Sequence, residues 1–100
     1  MVFEVGRLVI KVSGRDAGRL GVVVKELDEN YVVVSGPKKL TGLRDNRKVN
    51  KKHLRPLEIK IEISENPSED ELINKMKEAI KKLSEDQINR LKINKKMLNE

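Results

Sequence analysis

Apolar and polar residues alternate along the first quarter of the chain, and glycines mark where the alternation breaks. Leu8, Ile10 and Val12 alternate with Arg7, Val9 and Lys11, which predicts a first strand. Leu20, Val22 and Val24 alternate with Gly21, Val23 and Lys25 for a second. Asp28-Glu29-Asn30 reads as a turn, because short polar side chains stabilise tight reversals. Tyr31-Val32-Val33-Val34-Ser35 follows as a third strand rich in β-branched residues. Gly36-Pro37 ends it, since Pro37 lacks the N–H that a ladder needs. From Lys38 to Arg55 only short strand-like pieces stand out, around Leu40–Leu43 and Arg47–Asn50. Leu54-Arg55-Pro56 reads as a turn, and Leu57, Ile59, Ile61 and Ile63 then alternate with charged partners as a last strand with one buried face.

The period changes after Asn66-Pro67. Ser68-Glu69-Asp70-Glu71 has the spacing of a capping box, in which Ser68 accepts from the Glu71 N–H and Glu71 reaches back. Three acids in the first turn suit the positive end of a helix dipole. Leu72, Ile73, Met76, Ala79, Ile80 and Leu83 then form one apolar stripe at helical spacing. Ser84-Glu85-Asp86-Gln87 repeats the cap signature and starts a second, weaker helix carrying Ile88, Leu91, Met97 and Leu98. Its end, Asn94-Lys95-Lys96, is expected to fray.

Five short, closely spaced strands predict a small, strongly curved β-barrel of the SH3-like type over residues 1–64, followed by a helical extension over 65–100 that packs on it. A barrel of roughly 60 residues is marginal alone, so the stripe from Leu72 to Leu83 is expected to pack across one open end. The fold class is thus mainly β with α.

Charge changes the picture. Residues 1–56 hold 13 Lys/Arg against 6 Asp/Glu, while residues 57–100 hold 9 against 10. The whole formal excess of +6 therefore belongs to the predicted barrel, as an anionic partner docking there requires. The sequence has no Cys, which excludes disulfides and thiolate metal sites and suits a reducing compartment. No apolar run approaches the roughly 20 residues of a membrane helix, and the N-terminus lacks a signal pattern. A cytosolic chain with no membrane partner is expected.

Two features carry the candidate chemistry. The first is the loop between the first two strands, where Gly14 and Gly18 let backbone approach an anion closely and Arg15 and Arg19 supply charge. Glycines in a hairpin loop also serve simply to supply positive φ. The second is Lys38, Lys39, Arg44, Arg47, Lys48, Lys51, Lys52 and Arg55, eight cations interrupted only by Asp45. Such a run repels itself strongly, and a polyanion relieves the repulsion. Single-strand readers stack bases on aromatic platforms, yet Phe3 and Tyr31 are the only aromatic residues here, and Tyr31 falls in a strand as a core candidate. Folded RNA, read by shape and phosphate position, fits best. An enzyme does not. His53 is the only histidine, the carboxylates concentrate in the helical tail, and no Walker-type or Rossmann-type glycine loop is present. No cofactor, metal or small-molecule substrate is expected.

Val5 to Lys25 resembles the KOW motif of ribosomal proteins and transcription elongation factors. The continuation narrows the likeness: Val34-Ser35-Gly36-Pro37-Lys38, Thr41-Gly42-Leu43, then Val49-Asn50-Lys51-Lys52-His53-Leu54-Arg55-Pro56. This order is similar to the archaeal and eukaryotic large-subunit ribosomal protein L-fourteen-e family over roughly residues 3–80. The resemblance implies a KOW-type barrel on large-subunit ribosomal RNA in the cytoplasmic ribosome, with a helical part touching neighbouring ribosomal proteins. Carried over by position, it implies RNA contacts from Arg7, Arg15 and Arg19, and from Lys38, Arg44, Arg47, Lys48, Lys51, Lys52 and His53. Asp45-Asn46 departs from the family's denser basic cluster, and the tail after Leu83 is not matched by the resemblance. A KOW-type regulator of transcription elongation, bound to RNA polymerase, is the alternative. A peptide-binding SH3 or Tudor module would need exposed aromatics that this chain lacks.

Overall fold

The structure, a computed structural model, describes residues 3–43 and 46–99. Five strands form one antiparallel sheet: β1 (Arg7–Lys11), β2 (Leu20–Glu26), β3 (Tyr31–Ser35), β4 (Arg47–Asn50) and β5 (Leu54–Lys60), in the order β4-β3-β2-β1-β5. Two α-helices follow, α1 (Glu69–Ile80) and α2 (Glu85–Arg90), and a 3-10 turn, Lys95–Asn99, ends the described chain. Among the described residues no helix is long and apolar enough to cross a membrane.

The sheet buries both of its faces. Leu8 pairs with Val22 and Ile10 with Leu20, which places these four on one side; Val9 pairs with Gly21 on the other. The alternation predicts one buried face, but Val9 and Val23, counted as partners of the apolar set, are as fully enclosed as Leu8 and Val22. The reason is closure. Val9, Val23, Val32, Val34 and Leu43 share an inner core with Val49 and Leu54, which come from the two edge strands. The sheet therefore curls until its edges face one interior.

A 3-10 turn over Lys51–His53 bridges those edges. The Lys51 N–H donates to the Asn30 carbonyl at 2.8 Å, and the Val12 N–H donates to the His53 carbonyl at 2.9 Å. The Asn50 side chain caps the turn by accepting from the Lys52 N–H at 3.0 Å. This reversal precedes the one expected at Leu54-Arg55-Pro56, which instead begins β5. Pro56 is tolerated there because β5 is an edge strand and its ladder with β1 is irregular. The last strand ends at Lys60, before Ile61 and Ile63.

Arg47–Asn50 is a strand, as the pattern predicts, but Leu40–Leu43 is not. Pro37 and Lys38 open a single helical turn whose carbonyls accept from Leu40, Thr41 and Gly42. Pro at the start and Gly42 in the left-handed region at the end punctuate a helix, and that outweighs the strand character of Leu40 and Thr41.

The outer face of β1 and β2 is covered by α1. Leu8, Leu20 and Val22 pack with Leu72, Met76, Ala79, Ile80 and Leu91 in a second core, so the helical stripe lies over a face of the sheet and not across an open end. Ser68 caps α1 as expected, accepting from the Glu71 N–H at 3.1 Å. The return half of that box is diverted: the Glu71 carboxylate accepts from the Ser64 N–H and hydroxyl, at 2.8 and 2.9 Å, and so ties the incoming chain to the helix. At α2 the box is complete, with Ser84 and Gln87 exchanging both bonds. This helix is shorter than its apolar pattern implies. It stops at Arg90, and residues 91–94 return to the barrel without regular secondary structure.

Candidate nucleic-acid interface

The loop from Val12 to Arg19 leaves β1 and returns to β2 under tight control: the Gly18 N–H donates to the Lys11 carbonyl at 2.7 Å, and the Lys11 N–H to the Arg19 carbonyl at 3.0 Å. Gly14 and Gly18 both adopt positive φ, of 80° and 90°. Their surroundings differ. A Cβ on Gly14 would meet nothing within 4 Å, so the backbone there is open to a partner. A Cβ on Gly18 would lie 3.3 Å from the Lys92 side chain, so the space at Gly18 lodges this chain's own tail.

The arginines divide in the same way. Arg15 is exposed and makes no ion pair among the described residues. Arg19 is a strut. Its Nη1 donates to the Thr41 carbonyl at 3.0 Å, its Nε lies 3.6 Å from Asp16, and its guanidinium occupies the space beside Gly42 where a Cβ would stand. Arg7 lies at the far end of β1 from the loop. It pairs with Glu4, donates to the Leu57 carbonyl at 3.3 Å, and its Nε is buried without a partner. Lys60 reaches the same carboxylate at 3.3 Å. The Arg7 guanidinium, followed by the Lys60 ammonium, holds the Glu4 carboxyl below the usual glutamate range.

The 3-10 turn brings the second half of the surface to the loop. His53 is exposed, and its Nδ1 lies 2.6 Å from the Ser13 hydroxyl. Lys52 stands exposed beside it, and Arg55 projects from the start of β5 near Ile10 and Arg90. The far side of the turn is anchored through the β2–β3 reversal. Asp28 accepts from the Asn30 and Tyr31 N–H groups, both at 2.8 Å, and Asn30 in turn holds Lys51. Those two backbone donors, Asn30 first, lower the Asp28 pKa below the ordinary aspartate value.

Lys48 and Lys51 sit over the two aromatic rings: Lys48 Nζ lies 4.5 Å from the Tyr31 centroid, and Lys51 Nζ 5.7 Å from that of Phe3. Tyr31 is half-buried and cation-capped, where the pattern had placed it in the core. Each ring has a lysine ammonium over one face. Arg47 is exposed at the mouth of the inner core together with Lys11 and Asp16. Lys38 and Lys39 project from the helical turn beside Arg19 and Lys92. Arg44 lies outside the described residues. Lys11 and Lys92 escaped the sequence reading. Lys11 had only its place in a strand, and Lys92 reaches the surface through a contact with Gly18 that no local pattern announces.

A half-open barrel of five antiparallel strands, a 3-10 closure, a helical cover and cations on the connecting loops define a small SH3-like domain of the KOW type. Comparison with curated proteins then identifies its family. Large ribosomal subunit protein eL14 of Pyrobaculum neutrophilum is 49% identical over 78 residues, which span 78% of this chain and 75% of that one. The eL14 proteins of Aeropyrum pernix and Staphylothermus marinus are 46% and 45% identical, over 78% and 76% of this chain and 77% and 78% of theirs. The chain belongs to the family of large ribosomal subunit protein eL14. No protein-family model matches it.

Proposed function

We propose that this chain is a non-catalytic structural constituent of the large ribosomal subunit in the cytoplasm. It binds folded ribosomal RNA through the loops of its barrel and supports translation by bracing that RNA beside neighbouring ribosomal proteins. The observation that carries the reading is the bond between Ser13 and His53, which joins the open backbone at Gly14 and the exposed Arg15 to the basic turn at Lys51 and Lys52. Family membership supplies the setting. Arg47, Lys48, Lys38, Lys39 and Arg55 extend the surface. Arg7, Arg19 and Gly18 support it from within, since their polar groups or clearances are already used by the chain itself.

Phosphate neutralisation is the mechanism, and it makes binding salt-sensitive. If about six cations meet phosphate, affinity falls on the order of a thousandfold between 50 and 200 mM salt, on the DNA calibration. The test is binding of the purified protein to large-subunit RNA across a salt series, with co-sedimentation on large subunits. Salt-insensitive binding, or absence from large subunits, would sink the proposal. The relatives described above are all large-subunit proteins, so the transcription-regulator alternative gains nothing from them.

A further inference from the structure

Residues 91–94 lie between the glycine loop and the helical turn, and they are fixed on both sides. The Lys92 N–H donates to the Gly18 carbonyl at 3.0 Å, and the Asn94 N–H to the Leu40 carbonyl at 2.6 Å. Leu91, the first of them, is buried in the outer core. The tail thereby becomes one wall of an open recess whose other walls carry Arg19, Lys38, Lys39 and Gly42.

Four cations border this recess. Among the described residues the acid that pairs with one of them is Asp16, which faces Arg19 at 3.6 Å. Lys38, Lys39 and Lys92 have no acidic partner among the described residues. Two of the four charges are held in place. The Arg19 guanidinium is fixed by Thr41, and the stem of Lys92 rests on Gly18 with 3.3 Å between its Cγ and an ideal Cβ there. Like charges gathered round one depression repel each other, and an anion entering it removes that cost. The recess has no aromatic wall on which a base would stack, and its cations suit the phosphates of a polynucleotide backbone.

We infer that residues 91–94 complete a phosphate-binding recess with Lys38 and Lys39, braced by the Arg19 strut, which makes the C-terminal tail part of the RNA-binding surface. The inference rests on the RNA reading above and extends it to a segment whose sequence names no partner. Gly18, which its φ of 90° already suits to glycine, seats the stem of Lys92 at the edge of the recess.

The test is binding of the full-length protein to large-subunit ribosomal RNA over a salt series. Lys92→Gln keeps the backbone anchors and most of the stem but removes the charge. It should weaken binding at low salt and reduce the slope of log affinity against log salt by about 1, with an unaltered unfolding midpoint. Lys92→Arg should restore both. The double variant Lys38→Gln/Lys39→Gln should lower the slope further. If the wild type binds with the expected salt dependence and Arg15→Gln weakens it, but these tail and turn variants leave the slope unchanged, the recess is overturned and the RNA reading stands. If the wild type shows no salt-dependent binding, the RNA reading falls and takes the recess with it. Poor incorporation of Lys92→Gln into large subunits with an unchanged RNA slope would overturn the phosphate assignment in favour of a protein contact.

Discussion

The Ser13 hydroxyl and Nδ1 of His53 lie 2.6 Å apart across a gap of 40 residues in the sequence. The bond runs beside the backbone pair in which the Val12 N–H donates to the His53 carbonyl. Together they fix the spacing between the open backbone at Gly14 and the lysines of the 3-10 turn. That spacing must match the spacing of phosphates for both to bind at once.

Ser13→Ala removes the side-chain half of this link and keeps the backbone half. An exposed hydrogen bond is worth about 0.5 kcal/mol, so urea unfolding should shift only slightly. RNA affinity should nevertheless fall roughly threefold, because a loosened loop must be ordered on binding. An affinity equal to that of the wild type would show that the loop holds its position without Ser13.

Arg15 and Arg19 should respond differently to the same substitution. Arg15→Gln should weaken RNA binding and leave the unfolding midpoint where it was, since its guanidinium makes no ion pair among the described residues. Arg19→Gln loses the bond to Thr41 and the pairing with Asp16, and should cost about 1 kcal/mol of stability. Urea titration and filter binding of both variants separate a contact from a strut.

The Asp28 carboxylate is held below its ordinary pKa by the Asn30 and Tyr31 N–H groups. A group whose folded pKa is depressed contributes stability above its unfolded pKa and loses it as pH falls through the folded value. Asp28→Asn should therefore melt below the wild type at pH 7. The gap should begin to narrow as the pH drops under about 4, where the unfolded carboxyl takes up its proton, and close only below the depressed folded value. Thermal melts from pH 7 to pH 3 give the comparison, and a constant gap would assign the difference to shape and not to charge.

Met76 has no exposed surface and packs in the outer core with Leu8, Leu20 and Val22. Met76→Ala should cost about 2–5 kcal/mol in chemical denaturation, in a single transition that reports strands and helix together. Separate transitions for the sheet and the helix would mean that α1 is an accessory and not part of the cooperative unit.

Much of this architecture was legible in the sequence because it is written locally. The alternation around Leu8 and Leu20, the β-branched run at Tyr31 and the caps at Ser68 and Ser84 each specify an element within a few residues. The burial of Val9 and Val23 was not legible, because it follows from the two sheet edges meeting, and Val49 and Leu54 make that meeting far from either residue. Pro56 misled by its type: it signals a turn, yet an edge strand accommodates it. At the candidate site the pattern found the cations but not their engagements. Arg15 and Arg19 look alike in sequence, and the engagement of Arg19 with Thr41, Asp16 and Gly42 distinguishes them. Lys92 is invisible without the return of the tail to Gly18.

With Leu8 and Val22 committed to the helices, and Val9 and Val23 to the interior, the middle of the sheet has no face left to offer a partner. The cations described above stand on the rim, at the loops and edge strands. Contacts contributed by separate loops stay aligned only while the strands beneath them keep their register. A slip of one residue would exchange the contents of two cores that differ in shape and lining. The packing thus acts as a gauge, setting the distances at which loops distant in the chain present their charges.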